Sequence, residues 1–196
     1  MDSFTTHTGT AVPLRRSDVD TDQIIPAEYL KRVSRSGFED GLFSAWRKDP
    51  TFVLEQPERQ GASVLIANEN FGTGSSREHA VWALQNWGFR AVISPRFGDI
   101  FRGNAAKNGL LPVVLPSEIV TALQDLVEQD PTILVTVDLQ LCTVSSVGIQ
   151  APFEIAEDAR WRLLNGFDDI GLSLQHADAI TSFEAARPSW KPRVDV

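Results

Sequence analysis

One stretch limits the possible folds of this chain more than any other, the run from Ala62 to Trp87. A mainly apolar segment, Ala62 to Ala67, has the length of an interior strand. It leads into NENFGTGSSREH, Asn68 to His79, and then into a helical pattern. That pattern places Val81, Ala83, Leu84 and Trp87 largely on one side, with Gly88 where a helix C-cap belongs. A buried strand feeding a turn of small residues and then a helix belongs to the α/β class, and it presents reactive groups well. Gly72 and Gly74 allow a tight turn or a close approach of the backbone to a ligand. Free N–H groups at the helix start favour an anion. Ser75, Ser76 and Arg77 add two hydroxyls and a planar cationic fork that matches carboxylate or phosphate. Ser75 and Glu78 also have the spacing of a capping box. The local pattern leaves both readings open.

The flanking segments fit one α/β domain with a helical C-terminal appendage. Residues 1–17 read as extended, and Pro26 opens a short helix, AEYLKR. Phe38, Leu42, Phe43 and Trp46 predict an amphipathic helix within Gly37 to Lys48. Asp49 to Gly61 is an ordered crossing. Strands are predicted at Arg90 to Ser94 and Leu110 to Leu115, the second at an end or edge because of Pro112. A short helix runs from Ile100 to Lys107, with Ile100 and Phe101 securing it, and a longer one, capped by Ser117, to Glu128. Thr132 to Leu139, Cys142 to Val147 and Phe153 to Ile155 read as strands. Glu157 to Leu164 and His176 to Ala186 read as helices, ahead of a proline-containing tail, RPSWKPRVDV.

Composition narrows the chemistry. The 196 residues, 42% of them hydrophobic, suffice for a sizeable core. A formal net charge of -8 argues against a general nucleic-acid binder. The single cysteine, Cys142, excludes an internal disulfide and a cysteine-ligated metal or iron–sulfur centre housed by this chain alone. The N-terminus has no secretory pattern, and no apolar run approaches the roughly twenty residues that span a bilayer, so a soluble cytoplasmic protein is expected. FGTGSSR lacks the third glycine of a dinucleotide fold and the Gly-Lys-Ser/Thr ending of a P-loop. The run Asp18 to Asp22 is no EF-hand, because Gln23 and Tyr29 occupy the positions of the glycine and the bidentate glutamate. Its carboxylates either orient basic residues or decorate a turn. His7, His79 and His176 lack metal-ligand spacing. His79 stands out only for its place one turn into the helix, where it could donate a hydrogen bond or shuttle a proton. Without Gly-x-Ser-x-Gly, a serine hydrolase is disfavoured. Arg96 and Asn104 are candidate polar pocket groups.

Four segments together carry a resemblance. NFGTGSSREHA (Asn70 to Ala80), VDTDQIIP (Val19 to Pro26), YLKR (Tyr29 to Arg32) and FGDIFRGNAAKNGLLP (Phe97 to Pro112) occur in the order found in the swivelling domain of the aconitase family. With the short chain, they resemble the separately encoded small subunits of that family. The distinctive matches cover roughly the first 115 residues. The resemblance implies a swivelling β/β/α domain over residues 1–156, with a helical extension over 157–196 packed on the same domain. It implies a large-subunit partner that carries a [4Fe–4S] cluster, a small hydroxydiacid substrate, and no nucleic acid or membrane partner. The implied reaction is isomerisation of 2-isopropylmalate to 3-isopropylmalate by dehydration and rehydration, in leucine biosynthesis. Homoaconitate, citraconate or a related hydroxydiacid is the nearest alternative, and a non-catalytic interaction or RNA-binding domain the more distant one.

By the same resemblance Ser75 matches the catalytic serine, and Ser76 and Arg77 match the substrate-binding serine and carboxylate-binding arginine. Asp20 and Asp22 match the acidic motif, as supports. The loop around Tyr29 to Arg32 corresponds to the region that selects the substrate's side group, with Ile25, Tyr29 and Leu30 as candidate discriminators. Gly98 stands where many relatives have alanine, a departure expected to loosen or reshape the helix entrance.

Overall fold

The computed structural model describes residues 1–188 and 190–192. Its frame is a seven-stranded sheet in the order β4-β3-β2-β1-β5-β6-β7. Strand β1 (Thr6–Leu14) joins two kinds of sheet. Its N-terminal half, THTGT, alternates in exposure and pairs antiparallel with β5 (Leu134–Asp138). Its C-terminal half, AVPL, is wholly buried and pairs parallel with β2 (Val64–Ala67). Beyond β2, the parallel ladder continues through β3 (Ala91–Ser94) to β4 (Leu111–Val114). Beyond β5, β6 (Thr143–Ser146) and β7 (Ile149–Pro152) form an antiparallel meander. Continuous burial in the parallel strands reflects cover on both faces, and alternation marks the half-solvated part. Pro112 lies on edge strand β4, as expected of a residue without an N–H donor.

Alternate strand residues feed two cores. Leu65, Ala67 and Val92 face a layer made by α2 (Glu78–Trp87), α3 (Asp99–Asn108) and the turn-rich segment 19–54. Val64, Ile66, Ala91 and Ile93 face the layer that holds α4 (Ser117–Gln129), the meander and α5 (Glu157–Asn165). Truncating one such fully buried aliphatic residue to alanine costs about 2–5 kcal/mol. Leu163 of α5 is buried. Its carbonyl accepts the Phe4 N–H at 2.8 Å, which ties α5 to the start of the chain. Two shorter helices follow, α6 (Asp169–Leu174) and α7 (Ala177–Ala185).

Several expectations need correction. No helix forms over Gly37 to Lys48. Residues 39–45 run as successive turns, and only Trp46–Lys48 closes a 3-10 turn. Phe43 adopts a positive φ of 46°, which no helix tolerates, and its N–H donates to the Ile24 carbonyl at 2.8 Å. Phe38, Leu42 and Phe43 are nevertheless fully buried. Ser117 does not cap α4; the helix is preceded by Pro116, and the Ser117 hydroxyl donates to Glu69 at 3.2 Å. The last strand is Ile149–Pro152 rather than Phe153 to Ile155, because the chain reverses at Gly148 with φ 70°. Of the pair assigned to securing α3, Phe101 is buried but Ile100 is exposed. Helix α6 has no counterpart in the sequence reading; Asp168 caps it by accepting the Gly171 N–H at 2.7 Å. Of the expected tail, Ser189 and Arg193 to Val196 lie outside the described residues.

Gly72 is where backbone conformation and packing coincide. Its φ is 75°, and a Cβ there would lie 2.3 Å from the Phe101 ring. Gly72→Ala is therefore expected to destabilise the chain by about 2–4 kcal/mol, from backbone strain plus overpacking. A chemical-denaturation midpoint equal to that of wild type would show that this approach does not occur.

Candidate functional site

The candidate site is assembled where the parallel strands end. Three loops leave the C-terminal ends of β1, β2 and β3 and pair with one another by backbone hydrogen bonds. The Val19 carbonyl accepts from Gly72 N–H at 2.7 Å and Thr73 N–H at 3.1 Å, and Thr21 N–H donates to Thr73 at 3.0 Å. Phe71 N–H donates to the Arg96 carbonyl at 3.1 Å, and Gly98 N–H donates to Phe71 at 2.9 Å. A Cβ at Gly98 would meet the Gly72 carbonyl oxygen at 2.4 Å. Gly98 thus lets two loops cross closely, in place of the looser helix entrance expected. The carboxyl ends of parallel strands are the usual position for ligand sites in open α/β sheets.

Ser75, Ser76 and Arg77 lie at the head of this crossing. The capping-box reading of Ser75 fails, because α2 begins only at Glu78, with Arg77 in the N-cap position and no side-chain cap. No side chain caps the N–H groups of Glu78 and His79, while the Ala80 N–H donates to the Arg77 carbonyl at 3.1 Å. Ser75 and Ser76 are exposed, and among the described residues the Ser75 hydroxyl has no hydrogen-bond partner. The Ser75 carbonyl is held at 3.0 Å by the hydroxyl of buried Thr21. Arg77 is mostly buried, with its guanidinium against Asp22 and 3.5 Å from the Ile25 carbonyl.

The two acidic candidates separate. Asp20 forms a true capping box on α1 (Thr21–Ile24). Its carboxylate accepts the Gln23 N–H at 2.8 Å, while the Gln23 side chain accepts the Asp20 N–H at 2.9 Å. Asp20 therefore organises a turn, and Asp22 is the carboxylate that orients a basic group. Ile25 is fully buried in the core and cannot face a ligand, so it stands behind the site. Tyr29 and Leu30 lie half-exposed on the 3-10 turn Ala27–Lys31. The Arg32 guanidinium sits 4.8 Å above the Tyr29 ring and grips Asp40 with two bonds of 2.7 Å. Arg32 in turn holds the Asp40 carboxyl below its usual range, by hydrogen bonding first and charge second.

His79 is packed among aromatic rings, 5.4 Å from Phe38 and 4.7 Å from Trp82. Burial is the main cause that lowers its pKa; Arg77 adds to the effect and Glu78 opposes it. The imidazole is therefore neutral at neutral pH. The Asn104 amide is 3.5 Å from the Ser76 hydroxyl. Arg96 contributes its backbone carbonyl, while its side chain is exposed and without a partner among the described residues. Thr21 was not singled out in the sequence. It is a polar residue whose importance arises only through pairing with a segment more than fifty positions away.

The site is an open surface. Two grooves of about 560 and 500 Å³ lie elsewhere, the first around Arg16, Phe52 and Arg59 and the second around Arg102, Pro116 and Phe153. Their size does not make either one the reactive centre, since neither holds the serine–arginine segment. Among the described residues, no three His, Cys, Asp or Glu side chains are grouped to hold a metal ion. Nor is any helix among them long and apolar enough to cross a membrane.

Comparison with known proteins bears on this geometry. A family model described as the aconitase C-terminal domain matches residues 1–118. A second, described as the C-terminal domain of the 3-isopropylmalate dehydratase small subunit, matches residues 169–196. The chain is 69% identical over 193 residues to a 3-isopropylmalate dehydratase small subunit of Streptomyces griseus, covering 98% of each chain. It is 67% identical over 192 residues to that of Acidothermus cellulolyticus, again covering 98% of each. A crystal structure of 3-isopropylmalate dehydratase from Methanocaldococcus jannaschii is similar with a TM-score of 0.67 and 28% identity, over 91% of this chain and 99% of that one.

The His79 environment fixes a sign for the pH response. The unfolded imidazole takes up a proton below its ordinary value of 6.5, whereas the folded one resists it, so His79 removes stability as pH falls through that value. His7, also lowered chiefly by burial, acts in the same direction. In urea titrations, the midpoint of wild type is expected to drop between about pH 7.5 and about pH 5.5, and His79→Phe is expected to drop less. Equal drops in both proteins would remove His79 from this account.

Proposed function

The chain belongs to the 3-isopropylmalate dehydratase small-subunit family, and from that premise we propose that it works as the partner-dependent half of a hydro-lyase. The reaction is isomerisation of 2-isopropylmalate to 3-isopropylmalate by dehydration and rehydration, in leucine biosynthesis. One observation carries the reading: Ser75 and Ser76 stand exposed just ahead of a helix start that has no side-chain cap, and directly precede Arg77, whose guanidinium meets Asp22. Such a half-site fits a protein whose reaction chamber closes only against a large subunit.

The residues of this chain do not fit an iron–sulfur cluster, because Cys142 is its single cysteine. In this proposal the [4Fe–4S] cluster belongs to the large subunit, and the roles below concern this chain alone. The Arg77 fork grips a substrate carboxylate, and Asp22 keeps that fork oriented until the substrate arrives. Ser75, as the alkoxide, takes the proton from the substrate carbon. A serine oxygen reaches that state only where helix N–H groups and a nearby cation stabilise the anion. In this proposal the first turn of α2 and Arg77, which follow Ser75 in the chain, supply those groups. Ser76 donates to the substrate, with Asn104 behind it. Tyr29 and Leu30 offer apolar surface for the isopropyl group, on a turn held in place by the Arg32–Asp40 clasp. Discrimination between related side groups by such a surface amounts to about 1–3 kcal/mol per methylene.

The deciding experiment co-produces this chain with the large subunit, rebuilds the cluster anaerobically and assays isopropylmalate with each chain omitted in turn. Turnover is expected only with both. Full turnover by either chain alone would overturn the proposal, and a stronger preference for a longer acidic side group would move the substrate to the homoaconitate class. In the assembled enzyme, Ser75→Ala is expected to lower kcat by on the order of a thousandfold with the heteromeric assembly intact. Arg77→Lys replaces a bidentate fork with a point charge and is expected to cost at least about tenfold in kcat/KM. Wild-type kinetics in either variant would remove the role assigned to that residue.

A further inference from the structure

Asn108, the last residue of α3, is bonded to three residues of α2. Its side-chain oxygen accepts the Trp82 indole N–H at 3.1 Å. Its side-chain nitrogen donates to the Glu78 carboxylate at 2.8 Å and to the Asn104 carbonyl at 2.9 Å. Its backbone carbonyl accepts the Gln85 side-chain N–H at 2.7 Å. Glu78, Trp82 and Gln85 are spaced four and three apart, so they form one face of α2, and all three converge on this asparagine. Asn104, four residues back on the same face of α3, reaches Ser76.

We propose that Asn108 is a positioning residue for the reaction, setting the axial register of α2 and so the placement of Ser75, Ser76 and Arg77. The proposal rests on the reading of that segment as catalytic. Glu78 is the first helical residue and follows Arg77 directly. Fixing Glu78 fixes how far the helix start, with its free N–H groups, projects toward the substrate. The bond set is specific to an amide in one orientation, since one acceptor must face the indole and two donors must face the carboxylate and the carbonyl. A carboxylate here would turn both donors into acceptors and set a second negative charge against Glu78. An apolar side chain would leave the half-buried indole N–H without a partner.

The test reverses the polarity of one bond in the assembled enzyme. Asn108→Asp is expected to lower kcat/KM about tenfold at a temperature well below unfolding. Adding Glu78→Gln restores a donor–acceptor pair in the opposite sense, and the double variant is expected to recover to within about threefold of wild type. Glu78 is exposed, so a parallel pair needs no change in the interior. Glu78→Gln, whose amide oxygen still accepts, is expected to stay within about threefold of wild type, and Glu78→Ala to lose about tenfold. A merely structural asparagine would lower Tm while leaving the kinetics of the folded enzyme unchanged. Wild-type kinetics in Asn108→Asp and Glu78→Ala, or a double variant no better than Asn108→Asp, would overturn the inference. If Ser75→Ala kept wild-type turnover, the underlying catalytic reading would fail instead, whatever Asn108 did.

Discussion

Two backbone N–H groups, those of Gly72 and Thr73, converge on the Val19 carbonyl, and Thr21 answers with a bond back to Thr73. Everything distinctive about the site depends on this pairing of two loops. It draws Asp22 from the β1 side and Arg77 from the β2 side to the same place, which neither loop could do alone. Each bond contributes only about 1 kcal/mol net, so their value lies in geometry more than in stability. The same pairing explains the glycines. A side chain at Gly72 would collide with Phe101, and one at Gly98 would collide with the Gly72 carbonyl. Close crossing of three chain segments leaves no room for a Cβ at those points.

Electrostatics follows from that placement. The start of α2 has no carboxylate or hydroxyl cap, although serines immediately precede it. A cap there would contribute about 1 kcal/mol to the helix. The chain forgoes it, and in the proposed enzyme the N-terminal field serves a substrate carboxylate instead. Asp22 is too exposed for its pairing with Arg77 to stabilise the fold appreciably. Its effect is on orientation. A guanidinium held at one edge has its remaining donors aimed in a defined direction, which lowers the entropy that a ligand carboxylate must overcome on binding.

How far the sequence could be read depended on whether the cause was local. Helix α2 and its stop at Gly88 were legible because apolar spacing and a left-handed glycine act within one turn of each other. The edge position of Pro112 was legible from the missing donor alone. Phe43 was not. Its spacing with Phe38 and Trp46 correctly foretold burial, yet the backbone is bent by a bond to Ile24, nineteen positions earlier. Asp20 and Asp22 look equivalent in VDTD, and only the capping box with Gln23 tells which is spent on the turn. Ile25 looked like a ligand contact because it is apolar and near the motif, but tertiary packing claimed it for the core. Ser75 looked like a cap because its spacing to Glu78 was correct, but the loop pairing delays the helix until Glu78.

These failures share a direction that bears on specificity. Packing moved the apolar candidate Ile25 inward and left Tyr29 and Leu30 half-exposed, on a turn beside which Arg32 pairs with Asp40 and lies over the Tyr29 ring. The carboxylate grip and the side-group surface of the proposed enzyme therefore sit on different segments, one on the paired loops and the other beside the Arg32–Asp40 pair. In the proposed enzyme the grip serves a feature common to all hydroxydiacids, while the clasped turn meets the group that varies. On this proposal, altering the turn changes substrate choice without disturbing the proton acceptor. Altering the paired loops cannot, because Ser75, Arg77 and the start of α2 share one scaffold.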